Sequence, residues 1–126
     1  MAILDDTLAG LVDGLKSDLT DAGLVRVRGG MARGVAWAEA SGRSADGAWL
    51  ELRLHHRPSE HRLQAGLLAY QPMARGARTV VVGEESLGYR YEPTEVAADL
   101  GEAVSGWLQR LALDASTQAL GAASGF

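Results

Sequence analysis

Cysteine is absent from the 126-residue chain, which excludes a disulfide framework, a thiolate metal site and a cysteine nucleophile. Also absent is any run of about 20 consecutive apolar residues, the length that a membrane-spanning helix needs. Residues 1–16 carry Asp5, Asp6 and Asp13 and lack the basic start and apolar stretch of a secretory signal. From these absences we expect a soluble, cytoplasmic protein.

The net charge of −4 disfavours a dedicated nucleic-acid-binding protein, but the charge is unevenly distributed. Residues 1–23 have a net charge of −4, residues 24–82 of +5 and residues 83–126 of −5. Eleven of the twelve cationic residues are arginine, which reflects either a GC-rich genome or selection for bidentate anion recognition. The length suits one domain, which we place at 1–120, followed by a flexible tail at 121–126.

The first residues have the three- and four-residue apolar spacing of an amphipathic helix, predicted here at 3–22. Gly23 is expected to end this helix in a left-handed cap, with Leu24 folding back onto it. Gly10 and Gly14 interrupt the pattern, either as tolerated defects or as a place where another backbone comes close.

A second helix is predicted after Pro93, with Thr94 as its N-cap and Glu95 in its first turn. It runs past Leu111, and a weaker helical stretch follows at 114–120. Its apolar stripe consists of Val96, Leu100, Ala103, Val104, Trp107, Leu108 and Leu111.

The middle of the chain predicts antiparallel strands joined by short connections. The clearest is 48–56, where three leucines alternate with polar and aromatic residues. Further strands are predicted at 24–28, 35–40, 62–71, 78–82 and 87–92, with a long hairpin loop at 41–47 and turns at 57–61 and 84–86. The β-branched run at 78–82 predicts a central strand, and 87–92 an edge strand. Residues 29–34 form either a bulge or a turn.

The fold class that follows is α+β. It has an antiparallel sheet of four to six strands, with an N-terminal and a C-terminal helix packed on one face, in the order α-β-β-β-β-β-α.

Three local patterns contain residue types that can carry chemistry, and none predicts a catalytic, metal or cofactor site. His55, His56 and His61 lie near one hairpin, but adjacent strand residues point to opposite faces, so a shared metal is disfavoured. The glycine-rich segment 29–34 lacks the lysine and the following helix of a phosphate-binding loop. Ser59 and His61 lie in a segment with the composition of a turn, and their proximity in sequence does not predict a nucleophile.

If both helices cover one sheet face, the other face is left for solvent or a partner. Arginine beside aromatic residues suits an acidic peptide, a nucleotide or a second subunit. The competing explanation is a charged face that complements the acidic helices of the same molecule or of a dimer mate. The predicted partner-binding residues are Trp49, Arg53, His55, Arg26, Arg28 and Tyr70, with Gln64 beside them.

The leading hypothesis is therefore a non-catalytic, chaperone- or adaptor-like module, homodimeric, that binds a protein partner and neither nucleic acid nor a membrane. In overall character the chain resembles the small acidic, leucine-rich, dimeric chaperones of bacterial secretion systems. Those chaperones interrupt the sheet with a helix, and residues 71–78, which contain Pro72 and Gly76, are too short and broken for one. No family is therefore assigned.

The alternative hypothesis is a small enzyme or small-molecule-binding protein with its pocket between sheet and helices. The polar groups that could line that pocket are His56, Tyr70, Tyr89 and Arg90.

Overall fold

The computed structural model describes residues 5–123, with side chains up to residue 113. One antiparallel sheet of order β1-β2-β3-β4-β5 follows two helical segments and precedes a third helix, which confirms the predicted α+β class and element order. The elements are α1 Asp6–Gly14, α2 Lys16–Ala22, β1 Arg26–Ala32, β2 Val35–Arg43, β3 Trp49–Arg57, β4 Arg62–Pro72, β5 Ala77–Gly88 and α3 Thr94–Ala123, with a short 3₁₀ helix at Pro58–Glu60.

The N-terminal helix is broken into α1 and α2, so the single helix predicted at 3–22 is wrong in this respect. The break is at Leu15, directly after Gly14, a residue of low helix propensity. Asp5 caps α1, because its Oδ1 accepts hydrogen bonds from the N–H groups of Thr7 (3.0 Å) and Leu8 (3.3 Å). The part of the prediction at 3–4 lies outside the described residues.

The predicted cap at Gly23 is confirmed. Gly23 has a φ of 92°, and Leu24 donates its N–H to the carbonyl oxygen of Leu19 at 2.8 Å. The same turn explains Gly42, since a Cβ at Gly42 would collide with the backbone carbonyl of Gly23. The loop predicted at 41–47 is shorter in the structure, because residues 41–43 belong to β2 and lie next to this cap.

The segment 29–34 is a strand end followed by a turn. Gly29 and Gly30 lie within β1, whose register with β2 is unbroken, so there is no bulge at this point. Arg33 and Gly34 have φ values of 52° and 78°, as in a two-residue type I′ hairpin. Because residues 29–34 form the end of a strand and a hairpin turn, they do not form a phosphate-binding loop.

The prediction of a central strand at 78–82 is wrong, because β5 is an edge strand and Val81 is 57% exposed. The turn predicted at 84–86 is also wrong, since β5 runs without a turn to Gly88 and takes in the start of the strand predicted at 87–92. An irregularity in the β4–β5 register, between Leu67 and Leu68, accommodates the extra residue. Gly83 then lies beneath the indole of Trp107, where a Cβ would collide with the ring.

All three helices pack on one face of the sheet. The predicted stripe of α3 is confirmed at its centre, where Leu100, Val104 and Leu108 are fully buried and Trp107 nearly so. They meet the leucines of β3 and β4, with Leu8 of α1 beside them. One correction concerns α3, because Thr94 is its first residue and not its cap. The helix extends to Ala123, residues 124–126 lie outside the described residues, and the flexible tail at 121–126 stays a prediction.

Glu95 holds the segment that precedes α3 against the first turn of the helix. Its carboxylate accepts hydrogen bonds from the N–H groups of Arg90, Tyr91 and Glu92 at 2.6–2.9 Å. These backbone hydrogen bonds lower the pKa of Glu95. Across the described part of the chain, no helix combines the length and apolar character needed to cross a bilayer.

Candidate functional site

The sheet face opposite the helices carries side chains that no described element covers, and we call it the open face. Residues that lie opposite one another in neighbouring strands share a face, so the register defines its members. Its arginines are Arg26, Arg28, Arg43, Arg53, Arg57 and Arg62. Its other charged or aromatic members are Trp37, Glu39, Trp49, Glu51, His55, Tyr70 and Glu84.

All the residues predicted to bind a partner lie on the open face. They form three groups. Trp49, Arg53 and Tyr70 form a central group on the neighbouring strands β3 and β4, and Arg26 and Arg28 lie on the edge strand β1. His55 lies on β3 opposite Gln64 of β4.

Glu51 joins the central group into one hydrogen-bonded network. It accepts hydrogen bonds from the indole N–H of Trp49 at 3.1 Å, the guanidinium of Arg53 at 2.8 Å and the hydroxyl of Tyr70 at 3.4 Å. Arg53 also donates to the Tyr70 hydroxyl at 3.2 Å. The network therefore fixes two aromatic rings and one guanidinium on the surface of the sheet.

The pKa values of this network follow from its contacts. Partial burial raises the pKa of Glu51, but the hydrogen bonds from Trp49 and Arg53, with the positive charge of Arg53, outweigh it and leave the pKa lowered. The hydrogen bond to Glu51 raises the pKa of Arg53. Both groups are therefore ionised near neutral pH.

Trp37 and Arg28 form a second cluster on the outer strands. The guanidinium of Arg28 lies 5.7 Å from the centroid of the Trp37 ring and donates to Glu39 at 3.1 Å. Gly30 lies opposite Trp37, and a Cβ there would be in ordinary van der Waals contact with the indole, 3.4 Å from its Nε1. The indole therefore packs beside Gly30 of β1, next to Arg28.

Charges along the central cross-strand row alternate in sign. The register places Arg28, Glu39, Arg53, Gly66 and Glu84 opposite one another from β1 to β5. Cross-strand pairs of opposite charge stabilise the sheet weakly and hold the side chains in defined positions. Gly66 is the one position in the row without a side chain.

Two depressions lie along this row, and members of the row line both of them. One, of about 350 Å³, is lined by Arg26, Arg28, Glu39, Trp49 and Glu51, with Val27 and Ser41. The other, of about 320 Å³, lies over Gly66 and is bounded by Arg53, His55, Arg57, Leu68 and Glu84 among others. A Cβ at Gly66 would meet nothing within 4 Å, so the missing side chain creates this second depression.

The neighbouring histidines His55 and His56 point to opposite faces, as predicted. Burial, together with the charges of Arg57 and Arg53, lowers the pKa of His55 on the open face. His56 is buried on the helix side, with Nδ1 3.2 Å from Oδ1 of Asp5 and Nε2 2.9 Å from the hydroxyl of Tyr89.

The Asp5–His56–Tyr89 chain connects the start of α1, β3 and the segment before α3. Burial, with the nearby charge of Asp5, raises the pKa of Tyr89, which keeps the phenol protonated and is the opposite of an activated nucleophile. His61 stacks on Tyr89 with ring centroids 5.2 Å apart. No three His, Asp or Glu side chains within the described residues are arranged to hold a metal ion.

The four polar groups of the alternative hypothesis do not converge on one pocket. Tyr70 lies on the open face, whereas His56 and Tyr89 meet on the helix side and Arg90 stacks on Tyr91. Every buried side-chain polar atom in the described residues has a hydrogen-bond partner. The concavity on the helix side, about 490 Å³ between α1 and α3, is lined largely by small residues such as Gly10, Gly14, Ala97, Ala98 and Gly101.

Sequence reasoning missed several members of the open face. Trp37 and Glu39 alternate with alanines in β2. This alternation is as regular as the one that predicts the face of β3, so both residues could have been predicted. Glu51 lies between two predicted site residues on the same face. Gly66 could not be found, because its role depends on the register with two neighbouring strands.

Comparison with known proteins supplies no relative from which a function could be transferred. No protein-family description matches the chain, and neither a curated protein nor a solved structure shows significant similarity to it.

Proposed function

We propose that this protein is a non-catalytic, chaperone- or adaptor-like binding module of the cytoplasm, acting as a homodimer. In this proposal its open face holds an extended, acidic segment of a protein partner. The observation that carries the proposal is a sheet face that no described element covers and that bears six arginines beside Trp37, Trp49 and Tyr70. Aromatic residues and arginine are the side chains most enriched at binding hot spots.

The geometry of the face favours an extended segment. The two depressions lie on either side of Arg53, separated by about two strand spacings, or roughly 10 Å. Side chains of an extended chain can enter both while its carboxylates pair with the arginines between them. The network around Glu51 holds Trp49 and Arg53 in place, which lowers the ordering cost of binding.

A protein segment is favoured over a nucleic acid because glutamates alternate with the arginines. Glu39, Glu51 and Glu84 would repel a continuous phosphate backbone, and the chain as a whole has a net charge of −4. A peptide can place neutral or aromatic residues opposite these glutamates.

The test is fluorescence anisotropy with a labelled peptide of about twelve residues that alternates glutamate and tyrosine. The comparison probes are a glutamine–tyrosine peptide and single-stranded DNA of similar length. We expect Arg28→Gln/Arg53→Gln to weaken binding of the acidic peptide about tenfold or more, since hydrogen bonds to charged groups contribute about 1.5–3 kcal/mol each.

The matched control is Arg75→Gln/Arg110→Gln, which removes the same charge outside the open face and should leave affinity nearly unchanged. Equal weakening by both pairs would mean that only net charge matters. Tighter binding of DNA than of the acidic peptide would contradict the choice of partner.

A further inference from the structure

The β-branched run at 79–82 is a sequence feature that the open face leaves unexplained. Its composition is typical of a central strand with a neighbour on each side, yet β5 lies at an edge of the sheet and pairs only with β4. Val81 is 57% exposed, and Ala77, Arg78 and Thr79 are exposed as well. A strand added beyond β5 would give this run the second neighbour that its composition suggests.

The two edges of the sheet differ in how far they are open. An exposed edge offers unpaired backbone groups to another strand, and proteins block it with bulges, charges or a covering element. The middle residue of β1, Gly29, is buried, which closes that edge at its centre. Residues 77–81 of β5 are exposed or half-buried, and 77–83 contain neither proline nor an acidic residue. Glu84 and Glu85 protect only the second half of β5, so its first half is the edge suited to pairing.

The hydrogen bonds to β4 fix which backbone groups β5 directs outward. At the hairpin, Met73 donates its N–H to the carbonyl oxygen of Gly76 at 3.0 Å, so these two residues form a hydrogen-bonded pair. Hydrogen-bonded positions alternate along antiparallel strands, so Arg78 and Val80 are the next residues of β5 that bond to β4. The residues that point their N–H and C=O groups away from β4 are consequently Ala77, Thr79 and Val81.

We propose that β5 pairs antiparallel with β5 of a second copy of this chain, with Thr79 at the two-fold axis. This inference rests on the homodimer of the proposed function and assigns its interface. In this register Thr79 faces Thr79, and Ala77 faces Val81 of the second copy. The three outward residues of each strand then form six hydrogen bonds between the copies, and the two threonine side chains form a favourable cross-strand pair.

The outward positions and the charge on β5 select this register over its neighbours. Backbone hydrogen bonds form only where outward residues of both strands face each other. A pair centred on Val80 would leave Ala77 without a bonding partner and keep four of the six bonds. A pair centred on Arg78 would also keep four, and it would bring two Arg78 side chains directly opposite, which is destabilising. In the proposed register Arg78 faces Val80, and Glu84 and Glu85 lie beyond the paired residues.

The consequence is a continuous ten-stranded sheet whose two open faces lie side by side. The register between β3, β4 and β5 places Trp49, Tyr70 and Thr79 in one cross-strand row. Pairing at Thr79 would join the rows of the two copies end to end, with the two Tyr70 residues three strand spacings, or roughly 14 Å, apart. One partner segment can then contact the central networks of both copies.

The first experiment is sedimentation equilibrium on the full chain at about 10–300 µM, because a pair of short strands is a small interface and associates weakly. We expect a dimer for the native chain and a monomer for Thr79→Lys/Val81→Lys, which places two lysines opposite each other at the axis. The matched control is Val27→Lys/Met31→Lys, because these residues are 45% and 61% exposed and lie on the other edge strand. The control should remain dimeric.

A proline at residue 79 tests the backbone hydrogen bonds without a change of charge. Thr79→Pro removes the outward N–H, whereas the hydrogen bonds between β4 and β5 are made by the neighbouring residues. Since each copy loses one of the six bonds, we expect the dimer to dissociate about tenfold more readily. Thr79→Val keeps the N–H and should dimerise normally. A native dissociation constant for Thr79→Pro would overturn the pairing.

The register is tested with disulfides, which the absence of native cysteine makes clean. Thr79→Cys should form a covalent dimer on mild oxidation, because the two Cα atoms lie about 5.5 Å apart across the axis, within the range of a disulfide. Ala77→Cys should form it far more slowly, because the two copies of residue 77 lie about 13 Å apart along the strands. Equal crosslinking of the two variants would overturn the register.

The outcomes separate this inference from the proposed function. A native dimer that persists in Thr79→Lys/Val81→Lys would refute the β5 interface and leave the homodimer standing. A native monomer would refute the interface and the homodimer together, and binding of a labelled threonine–valine peptide by that monomer would assign the edge to a strand of another protein. Binding of the acidic peptide is measured on the native chain and on Arg28→Gln/Arg53→Gln, so it survives each of these results.

Discussion

Filling the depression over Gly66 should raise stability and lower binding at the same time. Gly66 lies in the middle of β4, opposite Arg53 and Glu84, and a Cβ there would meet nothing within 4 Å. Glycine within a strand costs roughly 0.5–1 kcal/mol relative to alanine, and a β-branched residue adds a few tenths. We therefore expect Gly66→Val to raise the free energy of unfolding by about 1 kcal/mol.

For a domain of this size that gain corresponds to a rise in Tm of about 3–6 °C, measurable by calorimetry or by urea denaturation. The valine would occupy the space between Arg53 and Leu68, so affinity for the acidic peptide should fall about tenfold.

The matched control is Gly106→Ala in α3. Gly106 also has open space around its Cα, and alanine there should stabilise the protein by about 1 kcal/mol through helix propensity. Because Gly106 lies away from the open face, its variant should bind the peptide normally. A Gly66→Val protein that is more stable yet binds with native affinity would refute the role of the second depression.

Three further predictions concern stability. Gly10→Ala should raise the free energy of unfolding by about 0.5–1 kcal/mol in urea denaturation, since nothing lies within 4 Å of a Cβ there, and a loss would reveal a close contact. His56→Leu should lower it by about 1–3 kcal/mol, because Asp5 and Tyr89 lose their shared partner; unchanged stability would contradict that bridge. The folded-state pKa of Glu51 is lowered, so its stabilisation is present above the unfolded pKa near 4.5 and is lost as pH falls through the folded value. Glu51→Gln should accordingly flatten the acid limb of a stability–pH profile, and an identical acid limb would rule out this contribution.

The elements that sequence predicted well are those whose pattern is local. The leucines of β3 alternate without interruption, and the α3 stripe repeats through Leu108, so each pattern has one structural solution. The cap at Gly23 was predictable because only glycine adopts its left-handed backbone at low cost.

The errors arise where neighbouring elements decide the outcome. The valines of β5 suggested burial on both sides, but position in the sheet is set by the order of all five strands, which places β5 at an edge. The strand then continues through Glu84, because the register irregularity and the close packing of Trp107 on Gly83 replace the predicted turn. The Gly66 depression likewise depends on cross-strand neighbours that no single strand reveals.

The alternating row across the open face bears on which partner it can select. Arg28 and Arg53 each donate to a glutamate, so a partner carboxylate must be placed where it reaches the N–H groups that remain on these guanidinium groups. The row is open at Gly66, between Arg53 and Glu84. A neutral or aromatic partner side chain suits this depression, which Glu84 and Glu85 also line, while a neighbouring carboxylate of the partner meets the Arg53 guanidinium at its rim. Specificity on this face should therefore depend on the spacing of acidic residues in the partner more than on their number.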